Sequence, residues 1–126
     1  MSNEKILIVE DEETTRVLIA VELEKAGYQV FQANDGEAGF QVTKAIRPDL
    51  IITDIVMPGM DGGRFIKRVC EDGFGKNTLF MVMTSHGQMQ GYFEMIDVDD
   101  FIVKPVNPQE LIARVKRVFA KAREDE

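Results

Sequence analysis

The sequence is poor in several things that common functions require. It has one cysteine, Cys70, in 126 residues, so no internal disulfide can form. Standing beside Val69 in an apolar helical pattern, Cys70 is expected as a buried thiol rather than a nucleophile. It has one histidine, His86; a phosphohistidine relay wants that residue on an exposed helix of a bundle, whereas here it follows Thr84 in a loop. No apolar run approaches the ~20 residues that span a bilayer. Met1 to Lys5 lacks the layout of a signal peptide, and the expected location is the cytoplasm. Basic residues are outnumbered, 15 Lys and Arg against 22 Asp and Glu, for a formal charge of -7. That balance argues against direct binding to nucleic acid or to an anionic membrane, both of which want clustered cations. Repeats, low-complexity tracts and linkers are missing too, and 126 residues at 44% hydrophobic suit one domain, residues 1–126, with its own core.

What the chain does have is a series of short apolar runs, most of which empty into polar residues. Lys5 to Val9 runs into Glu10-Asp11-Glu12-Glu13. Leu50 to Ile52 leads through Thr53 to Asp54, with Pro58 and Gly59 just beyond; Leu79 to Met83 ends in Thr84-Ser85, and Phe101 to Val103 in Lys104-Pro105. Each is too short for a helix and reads as a buried strand. Tyr28 to Ala33 mixes apolar and polar positions, as an edge strand does. Helical patterns fall between the strands. One spans about Glu12 to Ala26, with Ile19, Leu23 and Ala26 on one face and Gly27 to close it. Another spans about Gly36 to Ile46, with Ala38, Val42, Ala45 and Ile46 inward and Pro48 to end it. A third is capped by Asp61, carries Phe65, Ile66 and Val69, and runs out near Asp72-Gly73. A weaker one covers Gln88 to Ile96. The last opens on Asn107 and Pro108 with Glu110 placed for a capping box, and buries Leu111, Ile112, Val115, Val118, Phe119 and Ala122. Strand and helix alternating five times predict an α/β fold: a doubly wound, five-stranded parallel sheet with five helices on its two faces.

Right-handed crossovers bring the carboxyl ends of all the strands to one edge, where open α/β sheets bind ligands. That edge gathers Glu10, Asp11, Asp54, Thr84 and Lys104. Three carboxylates close together repel one another, and a hard divalent cation relieves them. Mg²⁺ fits best, because it takes oxygen ligands, keeps several waters and is held by one or two carboxylates plus phosphate oxygens. Lys104 and the Thr84 hydroxyl can then hold the other oxygens of a phosphoryl group. Asp54 is left as the nucleophile, able to attack phosphorus and form an aspartyl phosphate. Glu12 and Glu13 need no more than their favourable place in the first turn of a helix.

These motifs together resemble the response-regulator receiver domain of two-component signalling. The residues that carry the resemblance are Val9-Glu10-Asp11, Asp54 with Met57-Pro58-Gly59-Met60-Asp61-Gly62, Thr84-Ser85, and Phe101 with Lys104-Pro105; they occur in order across essentially the whole chain. The resemblance implies a flavodoxin-like strand order of 2-1-3-4-5 and a cis Lys104-Pro105 peptide. It implies that Asp54 is the phosphoacceptor and that Glu10, Asp11 and the Val56 carbonyl join Asp54 around Mg²⁺. Thr84 and Lys104 become the phosphoryl-sensing pair, Phe101 an aromatic rotamer switch, and Val56 and His86 the residues that tune the lifetime of the phosphorylated state. The implied partners are a sensor histidine kinase or phosphotransfer protein upstream and an output protein or domain downstream. Such a chain catalyses only its own phosphorylation and dephosphorylation. Three alternatives fit less well. A dehalogenase-type phosphatase wants a second acid two residues after its nucleophile, where Val56 stands. A flavodoxin-like nucleotide binder wants glycines and hydroxyls where Glu10 to Glu13 stand. A receiver-like binding module that takes no phosphate would not need the full set of side chains. The segment from Gly87 to Val98 is short for the family, which implies a shortened fourth helix or one that is partly unwound.

Overall fold

Five runs of aliphatic and aromatic residues form the strands of one sheet: β1 (Lys5–Val9), β2 (Gln29–Ala33), β3 (Leu50–Asp54), β4 (Leu79–Thr84) and β5 (Asp100–Val103). Their hydrogen-bonded order is β2-β1-β3-β4-β5, and every neighbouring pair is parallel. The computed structural model describes residues 3–57, 59–74, 76–85 and 98–124. Within them lie four helices: α1 (Glu13–Lys25), α2 (Gly36–Ile46), α3 (Gly62–Glu71) and α4 (Pro108–Glu124). Five helices were expected; the missing one, over Gln88 to Ile96, lies outside the described residues, as does His86.

Successive strand residues point to opposite faces, so a continuous apolar run can feed two cores at once. Ile6, Ile8, Leu50, Ile52, Met81 and Met83 pack on one face against Ile19 and Leu23 of α1 and Leu111 and Val115 of α4. Leu7, Val9, Ile51 and Val82 pack on the other against Phe40 of α2 and Phe65, Ile66 and Val69 of α3. A sheet covered on both faces leaves only its strand ends open to ligands. β2, on the edge, keeps half-buried and exposed positions among its five residues, as its mixed sequence predicts.

The local signals act as their chemistry requires. Asp35 and Asp61 accept hydrogen bonds from Ala38 N and Arg64 N and so cap α2 and α3. Asn107 Oδ1 accepts from Gln109 N and Glu110 N at the start of α4, and Lys104-Pro105 is cis. Three expectations need correction. The Glu110 carboxylate pairs with Arg114 one turn on and serves as the partner of that cation rather than as the second half of a capping box. On α2 the buried residues are Gly36, Gly39, Phe40 and Thr43; Ala45 is exposed and Ile46 only half-buried. The glycines let the helix sit so close that a Cβ at Gly39 would lie 2.9 Å from Val9 Cγ2, and the Thr43 hydroxyl is satisfied by the Gly39 carbonyl at 2.8 Å. Cys70 is exposed, because one further residue along α3 turns it about 100° from the buried Val69.

Candidate functional site

The site is assembled from strand ends. Asp54 is the last residue of β3, Thr84 the last of β4, and Glu10 and Lys104 directly follow β1 and β5. Parallel pairing keeps these ends level: Asp54 is in register with Met83, and Thr84 with Val103. The carboxylates of Glu10, Asp11 and Asp54 each place an oxygen within 4.8 Å of the others. Glu10 is 1% exposed, Asp54 6% and Thr84 fully buried, while Asp11 opens to solvent. The result is a set of hard oxygen donors, buried on one side and wet on the other, and its chemistry fits a cation that keeps part of its water shell.

Lys104 balances part of this charge. Its ammonium donates to Glu10 Oε1 at 2.8 Å and to Asp54 Oδ2 at 2.9 Å, joining residues 94 and 50 positions away in the chain. Burial works against the charged ammonium, but its hydrogen bonds to Glu10 and Asp54 outweigh it, and the Lys104 pKa is raised. Glu10 is pulled both ways. Burial, the largest influence, pushes its carboxyl up; Lys104 and the Glu12 N–H draw it down; Asp11 and Asp54 add to the rise. The net direction is upward, because burial outweighs the pull of Lys104.

Other contacts hold the frame. Glu12 N donates to Glu10 Oε2 at 3.0 Å, so the acidic turn read as mere dipole compensation also orients a site residue. Arg16 Nη1 donates to the Glu10 carbonyl at 3.0 Å. Nothing in the sequence singled out Arg16, one arginine near the start of a helix. Behind Asp54, the Gly62 N–H donates to the Ile55 carbonyl at 2.7 Å, and a Cβ at Gly62 would lie 2.1 Å from the Asp54 carbonyl oxygen. Only glycine lets α3 start there, against the strand that carries Asp54. The intervening loop turns at Gly59, whose φ of 81° lies in the left-handed region that glycine enters freely.

The remaining candidates are distributed as follows. The Thr84 hydroxyl donates to the Ser85 carbonyl at 3.1 Å. Phe101 is half-buried on β5, with the Arg114 guanidinium 5.9 Å from its ring centroid. Val56, two residues past Asp54, is 58% exposed. No helix among the described residues is long and apolar enough to cross a membrane.

Comparison with known proteins agrees with this geometry. The family model of the response regulator receiver domain matches residues 6–116. The phosphate regulon transcriptional regulatory protein PhoB of Pseudomonas aeruginosa is 35% identical over 123 residues, 96% of this chain and 54% of its own length. The alkaline phosphatase synthesis transcriptional regulatory protein PhoP of Bacillus subtilis is 32% identical over 95% of this chain and 50% of its own length. The chain therefore spans about half the length of these curated relatives. Among solved structures, the chemotaxis protein CheY4 of Vibrio cholerae superposes with a TM-score of 0.86 at 30% identity, covering 93% of this chain and 99% of that one.

Proposed function

The chain belongs to the response regulator receiver family, and on that premise we propose that it is a phosphorylation-activated signalling switch in which Asp54 accepts a phosphoryl group. The donor is a sensor histidine kinase or phosphotransfer protein, the reaction depends on Mg²⁺, and a downstream partner or output domain reads the result. Residues 1–126 form the one receiver unit. The reading is carried by one observation: a buried carboxylate at a strand end, within 4.8 Å of two others and 2.9 Å from a lysine.

Glu10, Asp11 and Asp54 are the side chains that would hold Mg²⁺, with the Val56 carbonyl as a further ligand. When bound, the ion neutralises the carboxylates and polarises phosphoryl oxygens. An oxygen of Asp54 forms the new O–P bond as the P–N bond of the donor's phosphohistidine breaks, and the imidazole keeps the electron pair. Lys104 exchanges a carboxylate contact for a phosphoryl oxygen, a move its raised pKa supports by keeping it charged. The Thr84 hydroxyl turns from Ser85 toward another phosphoryl oxygen, and Phe101 turns into the space it leaves. Phosphorylation adds about two negative charges at most, which cation and lysine largely offset, so the signal passed on is geometric. The chain turns over no separate substrate; Val56 and His86 tune how fast water ends the signal. A phosphatase would want an acid at the exposed position of Val56.

Acetyl phosphate with Mg²⁺ is expected to give a single phosphoryl adduct by intact mass. EDTA or Asp54→Ala is expected to abolish it. An undiminished adduct in Asp54→Ala overturns the assignment.

A further inference from the structure

We propose that Arg16 is a positioning residue of the acidic site: by holding the peptide plane between Glu10 and Asp11, it sets how the two carboxylates converge and hence how tightly the site binds a divalent cation. The inference rests on the metal-dependent reading above and extends it to a side chain that supplies no ligand oxygen.

Arg16 lies one turn into α1, where its own N–H bonds the Glu12 carbonyl. Its guanidinium reaches back over the start of the helix. Nη1 donates to the Glu10 carbonyl at 3.0 Å, and Nε donates to Gln32 Oε1 on β2 at 3.1 Å. Two bonds from one rigid planar group fix both its place and its tilt. The Glu10 carbonyl belongs to the peptide unit that leads into Asp11, and that unit is planar. Holding its oxygen therefore constrains the backbone rotation on either side, after Glu10 and before Asp11. Glu10 is already tied elsewhere: its N–H extends the sheet to Ala33 O at 3.1 Å, and its carboxylate accepts from Glu12 N and Lys104. Asp11 is exposed, so packing does not aim its side chain. The direction of its backbone does, and Arg16 is the side chain that fixes that direction.

The sign of the effect separates this role from a simpler one. Arg16 is a positive charge beside a cation site, and on Coulomb grounds alone its removal would strengthen cation binding. A positioning role predicts the reverse. Residues that orient metal ligands typically change affinity by about 10- to 100-fold.

The test is an amide chemical-shift titration of the unphosphorylated chain with magnesium chloride. The native chain is expected to bind and Asp11→Asn to lose binding. Arg16→Gln is expected to bind about tenfold more weakly. Arg16→Lys keeps a cation but cannot fork to both partners, so it too is expected to bind more weakly than the native chain. Phosphorylation of Arg16→Gln by acetyl phosphate is expected to be slow at low Mg²⁺ and to approach the native rate at saturation, a split that loss of general fold support would not produce. If Arg16→Gln binds Mg²⁺ as tightly as the native chain or more tightly while Asp11→Asn loses binding, the positioning role is overturned and the metal reading stands. Native affinity in Arg16→Lys overturns it equally should Arg16→Gln fail to fold. A native chain that does not bind Mg²⁺ takes both down.

Discussion

A methyl group added at Gly62 would press directly on the strand that carries the acceptor. Its Cβ would lie 2.1 Å from the Asp54 carbonyl oxygen, 3.0 Å from Ile55 Cα and 3.1 Å from the Asp54 carbonyl carbon. Non-bonded heavy atoms attract at roughly 3.5 Å or more, so helix and strand must part by on the order of 1 Å. All three atoms are backbone, and no rotamer change can relieve the clash. Overpacking of this kind costs about 3 kcal/mol, the upper end of the usual range, and alanine's better helix propensity returns up to about 1 kcal/mol. The net loss is about 2 kcal/mol, or roughly 6–8 °C in melting temperature for a chain of this length. The same shift displaces the Asp54 carboxylate from Glu10, Asp11 and Lys104, and a misplacement near 1 Å can cost about 100-fold in rate. Gly39→Ala is the control: its Cβ would meet side-chain atoms, Val9 Cγ2 at 2.9 Å and the Phe65 ring at 3.2 Å, and these can move. Thermal denaturation and the rate of labelling by acetyl phosphate are the assays. Gly62→Ala is expected to lose both stability and rate, and Gly39→Ala to lose stability with a near-native rate. A native rate in Gly62→Ala, or an equal loss of rate in Gly39→Ala, refutes the reasoning.

Three further outcomes follow from the site. Burial raises the Glu10 carboxyl pKa, and a carboxyl with a raised folded pKa contributes stability that is full below its unfolded pKa and is lost as pH rises through the folded value. Without Mg²⁺, the melting temperature of Glu10→Gln relative to the native chain is expected to rise as the pH increases above about 4; a difference that does not change with pH refutes this. Phe101 is expected to turn inward when beryllofluoride, a stable mimic of the phosphoryl group, is bound with Mg²⁺; an unchanged rotamer with and without it rules out the switch. Val56→Asn is expected to shorten the life of the phosphorylated chain several-fold, because an amide can orient a water that the valine side chain cannot, and decay at or below the native rate in that variant counts against it.

Most of the fold was legible because the period of the sequence is the period of the structure. Continuous apolar runs such as Leu50 to Ile52 mark strands buried on both faces, and Asp61 and Asn107 mark helix starts, since each chemistry acts within a few residues of itself. The helix faces were less legible. The buried side of α2 is built from Gly36, Gly39 and Thr43 beside Phe40, and neither glycine nor threonine registers as apolar. Glycine is buried there because it has no side chain to hold the helix away from Val9 and Phe65. Cys70 reads as apolar beside Val69, yet α3 carries it round to solvent.

The site divides along the same line. The sequence by itself determined which residue types end the strands, and so the acids after β1 and β3, the hydroxyl at the end of β4 and the cation after β5. Tertiary structure decided what those groups do to one another. Lys104 meets Glu10 across 94 positions and Asp54 across 50; this meeting raises the Lys104 pKa against the pull of burial, whereas burial raises the Glu10 pKa against the pull of Lys104. Arg16 finds the Glu10 carbonyl and Gln32, and Gly62 finds the back of Asp54. Such contacts depend on distances of about 3 Å between chain segments far apart in sequence, and periodicity, which reports only which face a residue occupies, carries no information about them.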